Sequence, residues 1–182
     1  PTQDMVIGLY YLTFMSQEDW NIEHPKSFRD SDEAQMAYEM GSITLHEKIR
    51  VRMRIPEKTG SEMLSSHGEQ TYREEIVETS VGRIIFNEII PDSLGFFNEV
   101  IDKKKLGNIV YDCYRLEGNA RTADMLDGIK RLGYKFGTRA GITVGVTDFE
   151  TPEAKADILA EADKAVAAIE DDYQFGLITE QE

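Results

Sequence analysis

The chain has 182 residues, a formal net charge of −14 and 41% hydrophobic residues. That apolar share can build a buried core, which excludes a disordered acidic tail; no apolar run reaches the roughly 18 residues of a membrane span. The single cysteine, Cys113, excludes an internal disulfide and fits a reducing, cytoplasmic compartment.

The charge is unevenly spread. Residues 1–40 hold eight acids against two bases, and residues 148–182 hold eleven acids against two lysines. The middle is nearly neutral, with basic clusters at Lys48–Arg54, Lys103–Lys105 and Lys130–Arg139. Phosphate contacts need Lys and Arg, so a chain this acidic is a poor candidate for wrapping a nucleic-acid backbone by itself. The first residue is proline and no basic segment leads into an apolar one, so no signal peptide is expected; a chain processed or cut from something longer is.

Gly8–Thr13 reads as a short apolar element, and Ser16–Asp32 as mostly loop around Pro25. Ser31–Met40 has helical spacing of Ala34, Met36, Ala37 and Met40, with Ser31 or Asp32 as cap and Gly41 as stop. From 46 to 55, Ile49, Val51, Met53 and Ile55 alternate with Lys48, Arg50, Arg52 and Arg54, the period of two of a strand with one apolar and one basic face. Glu57–Gln70 reads as a connecting loop, and Tyr72–Thr79 as a second strand with Glu75, Val77 and Thr79 on one face. The two strands predict an antiparallel hairpin with a long mobile tip.

From Ser80 the period lengthens. Ile84, Ile85, Glu88 and Ile89 predict a helix that stops before Pro91. Leu106, Ile109, Val110, Cys113 and Tyr114 mark another, and residues 119–132 a third, with Ala123, Leu126 and Ile129 on one face and Gly133 just past its end. Phe136–Val146 reads as a loop leading to a short strand. Pro152 opens a last helix at a favoured position, where Ala154, Ile158, Ala162, Val166, Ile169 and Tyr173 form a narrow apolar stripe of about six turns. Such a stripe suits one arm of a helical hairpin; Gly176 ends the helix, and the return arm is expected beyond the chain. The fold class expected is α+β: an antiparallel hairpin or small sheet with several amphipathic helices and a long C-terminal helix.

No phosphate-binding glycine loop, zinc-protease helix or serine-hydrolase elbow is present. His24, His46 and His67 lack zinc-ligand spacing and read as surface or loop histidines, and no metal-ligand set is expected. Cys113 reads as a buried structural thiol, and Glu170, Asp171 and Asp172 as a solvated charge run. The basic face of Arg50, Arg52 and Arg54 reads as a solvated or partner-facing surface, with nucleic acid as the other option. Arg139 stands before the glycine turn Gly141–Gly145, where a guanidinium and outward amides can meet a phosphate.

Three stretches carry a family resemblance. They are Pro1–Thr13 (PTQDMVIGLYYLT), Ser80–Pro91 (SVGRIIFNEIIP) and Leu132–Val144 (LGYKFGTRAGITV), which continues to Asp148. In order and nearly spanning the chain, they resemble the pore region of β′, the largest catalytic subunit of bacterial RNA polymerase; the last helix and Phe175–Thr179 resemble the first arm of its rim helices. Gly137 stands where the family often has alanine, and residues 15–28 and 57–70 match poorly.

The resemblance implies two domains: 1–147 as the pore, or secondary-channel, domain and 148–182 as the first rim arm, truncated. It implies DNA-directed RNA synthesis by nucleotidyl transfer within the assembled enzyme. The catalytic aspartate loop would lie upstream, so this stretch would be inactive alone. Arg139 and Gln3 are the implied substrate-binding residues, one reaching the triphosphate of the incoming nucleotide and the other lying near it. Mg2+ is implied in the complete enzyme and no cofactor in this stretch. The implied partners are the other subunits (β, α, ω and σ), the DNA template, RNA, nucleoside triphosphates and secondary-channel transcript-cleavage factors, with no membrane. The acidic face of Asp157, Glu161 and Asp163 offers those factors a surface. The alternative is a stand-alone acidic protein-interaction module related to β′.

Overall fold

The computed structural model describes residues 2–57 and 71–179, which leaves nearly all of the predicted hairpin tip outside the described residues. The chain divides into two compact units, Pro1–Ile142 and Thr143–Glu182.

The first unit begins with helix α1 (Asp4–Thr13), followed by the single turn α2 (Gln17–Trp20) and the short strand β1 (Lys26–Phe28). These last two lie where the sequence reads as mostly loop. Three residues are too few to show a period of two, and β1 exists because β2 (Ile49–Pro56) accepts it as a parallel neighbour, Ser27 beside Arg50. Helix α3 (Ser31–Glu39) is capped just before the expected Ser31 or Asp32: Asp30 is the N-cap and its Oδ1 accepts from the Glu33 amide at 2.9 Å. Gly41 ends it at φ 74, and amides of Gly41 and Ser42 return to the carbonyls of Tyr38 and Ala37, as in a Schellman motif.

β2 pairs antiparallel with β3 (Tyr72–Thr79), completing a sheet of order β1-β2-β3. The register sets Ile49 opposite Thr79, Val51 opposite Val77 and Met53 opposite Glu75, so the two predicted inner faces coincide. Ile49, Val51 and Ala34 are fully buried, in a small core with Ile43, Val81 and Ile84.

Helix α4 (Val81–Asn87) is the SVGRIIFN stretch, and its residues are nearly all committed to packing. Ser80 caps it through the Arg83 amide. A Cβ on Gly82 would overlap the Leu12 carbonyl oxygen, so only glycine lets α4 approach α1 here. Phe86 is fully buried. The Asn87 side chain exchanges hydrogen bonds with Phe97, donating to its carbonyl at 2.9 Å and accepting from its amide at 2.8 Å.

Helix α5 (Lys103–Ala140) is interrupted at Gly118, whose φ 77 and ψ −173 are not helical, so two helical segments meet there. Both feed the main core: Leu106, Ile109 and Cys113 from the first, Met125, Ile129 and Phe136 from the second, with Leu9, Leu12 and Phe86. Cys113 is free and fully buried; the Thr122 hydroxyl donates to its Sγ at 3.6 Å across the break. The buried side of the second segment runs through Thr122, Met125 and Ile129; Ala123, expected inside, is exposed. The segment also runs on past Gly133 to Ala140, overturning both the predicted stop and the predicted loop from Phe136. Gly133 and Gly137 serve close helix packing instead, and Gly141 at φ 60 is the true end. No strand forms in residues 141–149, where a 3-10 turn, Val146–Asp148, appears.

The second unit contains helix α6 (Lys155–Gln174). Pro152 lies outside the helix, its carbonyl accepting from the Lys155 amide at 3.0 Å. The C-terminus closes in a Schellman motif, with Gly176 at φ 70 and its amide and that of Leu177 returning to Tyr173 and Asp172. Ile158, Val166, Ile169 and Tyr173 of the predicted stripe are all exposed.

Candidate functional site

The two residues singled out for substrate contact lie on helices that cross at glycines. A Cβ on Gly8 would overlap the Gly133 carbonyl oxygen; one on Gly133 would sit 2.7 Å from Met5 Cα, and one on Gly137 3.2 Å from the Asp4 carbonyl. Three positions without side chains thus bring the start of α1 against the end of α5. Gln3 directly precedes Asp4, and Arg139 closely follows Gly137. Beside this crossing lies an open cleft of about 280 Å³ lined by Asp4, Ile7, Tyr134, Gly137, Thr138 and Ile142. Its walls are chain neighbours of Gln3 and Arg139, but neither of those side chains lines it.

Gln3 has φ 51 and ψ −125, and among the described residues it alone of the non-glycines has positive φ. Such a backbone costs on the order of 1–3 kcal/mol in a residue with a Cβ, and strain of this kind concentrates at functional sites. Its carbonyl starts α1 by accepting from the Val6 and Ile7 amides at 3.0 and 3.1 Å. Its exposed side chain makes no capping hydrogen bond.

Arg139 is exposed in the last turn of α5. Its Nη1 donates to the Tyr38 hydroxyl at 3.0 Å, and its guanidinium carbon lies 5.8 Å from the Phe136 ring centre. Both partners are neutral, so the cation keeps its full charge and most of its donors. Tyr38, which sequence reading missed, is half-buried and packs against both cores. In the glycine turn Gly141–Gly145, the Gly145 amide donates to Asp148 Oδ2 at 2.7 Å.

Arg83 is a further residue that sequence reading missed. It is 6% exposed, and it is the charged residue found buried among those described. Its Nε donates to the Thr13 carbonyl at 3.1 Å, and its Nη1 to the Asn98 carbonyl and Oδ1 at 2.9 and 3.1 Å. Thr13 in turn accepts from the Ile101 amide at 2.9 Å through Oγ1. Burial pushes the Arg83 pKa below its ordinary value, Glu99 opposing, yet an arginine stays charged. Arg83 is therefore a tie between α1, α4 and the 98–101 segment rather than a ligand group.

The remaining candidates resolve locally. His46 sits in a loop but is packed edge-on to Tyr11 at 4.7 Å, its Nε2 donating to the Tyr11 carbonyl at 2.7 Å. On the basic face of β2, Arg50 binds Glu78 at 2.8 Å, Lys48 binds the same carboxylate at 3.0 Å, and Arg54 lies over Tyr72. No group of three or more His, Cys, Asp or Glu among the described residues is arranged to hold a metal ion. Among the described residues no helix is long and apolar enough to cross a membrane.

A crossing of α1 and α5 at glycines, locked by the SVGRIIFN helix, is a scaffold into which one strained polar residue and one exposed arginine are set. The family model for RNA polymerase Rpb1, domain 3, matches residues 1–149, and the chain belongs to that family. Its relatives are bacterial proteins named DNA-directed RNA polymerase subunit β′. It is 72% identical over all 182 residues to that of Syntrophomonas wolfei subsp. wolfei, and 50% identical over the same span to those of Desulforamulus reducens and Heliobacterium modesticaldum. The chain spans about 15% of the length of these relatives.

Proposed function

We propose that this chain is part of the secondary-channel wall of a DNA-directed RNA polymerase, working in template-directed nucleotidyl transfer only within the assembled cytoplasmic enzyme. The observation that carries the reading is the 72% identity to a β′ subunit over all 182 residues. Residues 1–147 would form the pore domain and residues 148–182 the first rim arm. The other subunits (β, α, ω and σ), the DNA template and RNA would meet it in the assembly. Mg2+ would be held elsewhere in the full subunit, as the family resemblance implies.

Within the wall, Gln3 and Arg139 would serve the incoming nucleoside triphosphate. Gln3 is supported by its strained backbone and its uncommitted amide, which can donate to and accept from ribose hydroxyls. Arg139 is supported by its exposure and by a neutral anchor, Tyr38, that leaves its charge available for phosphate oxygens. The exposed acids of α6, Asp157, Glu161 and Asp163, would meet basic surfaces of transcript-cleavage factors.

The test is Gln3→Ala and Arg139→Ala in full-length β′ assembled into polymerase. Each should slow nucleotide addition and raise the apparent nucleotide requirement; wild-type elongation kinetics in both variants would overturn the substrate role. Charge reversal at Asp157, Glu161 and Asp163 should weaken factor-stimulated transcript cleavage while leaving elongation intact, and unchanged cleavage would remove the factor-docking role.

A further inference from the structure

The outer face of the β1-β2-β3 sheet has no part in the reading above, and its chemistry is specific. Side chains on this face of β2 come from Arg50, Arg52 and Arg54, each about 7 Å from the next at strand spacing. Their cross-strand neighbours on β3 are Glu78, Ile76 and Glu74. Arg50 is held by Glu78 at 2.8 Å, and Arg54 lies 5.0 Å from the Tyr72 ring centre. Arg52 stands opposite an isoleucine, which offers it no acceptor, and among the described residues it has no hydrogen bond or ion pair. Ile76 itself is 64% exposed, an apolar side chain with nothing over it in this chain.

Arg50 and Arg52 form the floor of an open trough of about 450 Å³, entered from the β1 side by Ser27 and Arg29 and bounded on β3 by Ile76 and Glu78. Its central free group is a guanidinium, whose planar fork matches a carboxylate with two parallel hydrogen bonds. Beside it lies an exposed aliphatic side chain. A single ligand class satisfies both: a peptide segment that alternates acidic and apolar residues. Nucleic acid fits less well, because a line of phosphates needs several uncommitted cations in succession, whereas Arg29 and Arg50 are already held by Asp30 and Glu78 and leave Arg52 for a single carboxylate.

We propose that this trough is a docking surface for an acidic, partly apolar peptide segment of another protein, with a carboxylate on Arg52 and an apolar side chain on Ile76. Charge complementarity sets the partner's sign. Within the trough Arg52 sets the register, since Arg29 is already held by Asp30 and Arg50 by Glu78, and a new carboxylate on Arg52 displaces no existing partner.

The test uses polymerase assembled with full-length β′ carrying p-benzoylphenylalanine in place of Ser27, so that only binding at this face is read. The probes are a synthetic peptide of alternating Glu and Leu, a matching peptide of alternating Lys and Leu, and single-stranded oligo(dT). Irradiation should cross-link the acidic peptide alone. Arg52→Glu should lower its yield about tenfold, and Arg52→Lys should retain part of it. Equal cross-linking of the basic peptide, preferential cross-linking of oligo(dT), an Arg52→Glu yield equal to wild type, or no cross-link at all would each overturn the proposal. Elongation rate, measured on the same preparations, should be unchanged in Arg52→Glu; this separates failure here from failure of the channel-wall reading, which depends on Gln3 and Arg139.

Discussion

Gly8 of α1 faces the backbone carbonyl of Gly133 in α5 so closely that a Cβ at residue 8 would overlap the oxygen. Gly8→Ala should therefore force the helices apart, uncovering Leu9 and Leu12, each fully buried at this interface and worth about 1.5–3 kcal/mol. A loss of about 3–4 kcal/mol is expected in denaturant unfolding. Gly107→Ala is the control. It sits in the first segment of α5 with nothing within 4 Å of a new Cβ, so it should stabilise by up to about 1 kcal/mol.

Arg83→Met keeps the length and apolar stem of the side chain while removing the donors to Thr13 and Asn98. Buried carbonyls left unpaired cost about 1–3 kcal/mol each, so a loss of about 3 kcal/mol is expected. Hydrogen exchange should show early opening of the Ile101 amide, which depends on Thr13. An unfolding curve matching wild type would mean that the tie is dispensable.

Stability should fall on the acid side. Glu78 has its carboxyl held below the ordinary value of 4.5, first by Lys48 and then by Arg50. Asp127 is likewise lowered by Lys130, and Asp30 first by the Glu33 amide. A carboxylate with a depressed folded pKa stabilises fully above its unfolded pKa, and that contribution is lost as pH falls through the folded value. The stability–pH slope below about pH 4.5 should therefore be shallower in Glu78→Gln, as read by thermal unfolding across that range.

Much of this architecture could be read from the chain, and the exceptions share a cause. The β2–β3 hairpin was legible because alternation of Ile49, Val51 and Met53 with arginines is a local pattern that the register then obeys. Gly133 was misread because a glycine that ends a helix and one that admits a neighbouring helix are identical in sequence; only the arrival of Met5 and Gly8 distinguishes them. β1 depends on a partner strand more than twenty residues away. At the candidate site, Gln3 and Arg139 are candidates through the family resemblance of their motifs. The strain at Gln3 and the Tyr38 anchor were not legible, since a φ angle and a contact between residues 101 positions apart leave no local trace. Arg83 was hidden for a related reason: nothing in SVGRIIFN says that its one cation points inward.

Tyr38→Phe tests the anchor of Arg139. It removes the acceptor at 3.0 Å while keeping the ring that packs on both cores. Stability should change by no more than about 1 kcal/mol. In assembled polymerase the freed guanidinium should raise the apparent nucleotide KM by a few-fold with little change in kcat, and Arg139→Ala should abolish that difference. A Tyr38→Phe enzyme with unchanged KM would leave Tyr38 a packing residue alone.

Gly118 divides α5 into two stretches that contribute to a single core, Leu106, Ile109 and Cys113 before it and Met125, Ile129 and Phe136 after it. An unbroken helix of 38 residues would extend about 57 Å and would have to keep one phase throughout. With the break, the rotational phase is reset at residue 118. A residue gained or lost at this seam need not turn either apolar stripe away from the interior. Gly118 thus lets the two halves of the longest helix vary in length independently, as an expansion joint does in a rigid span.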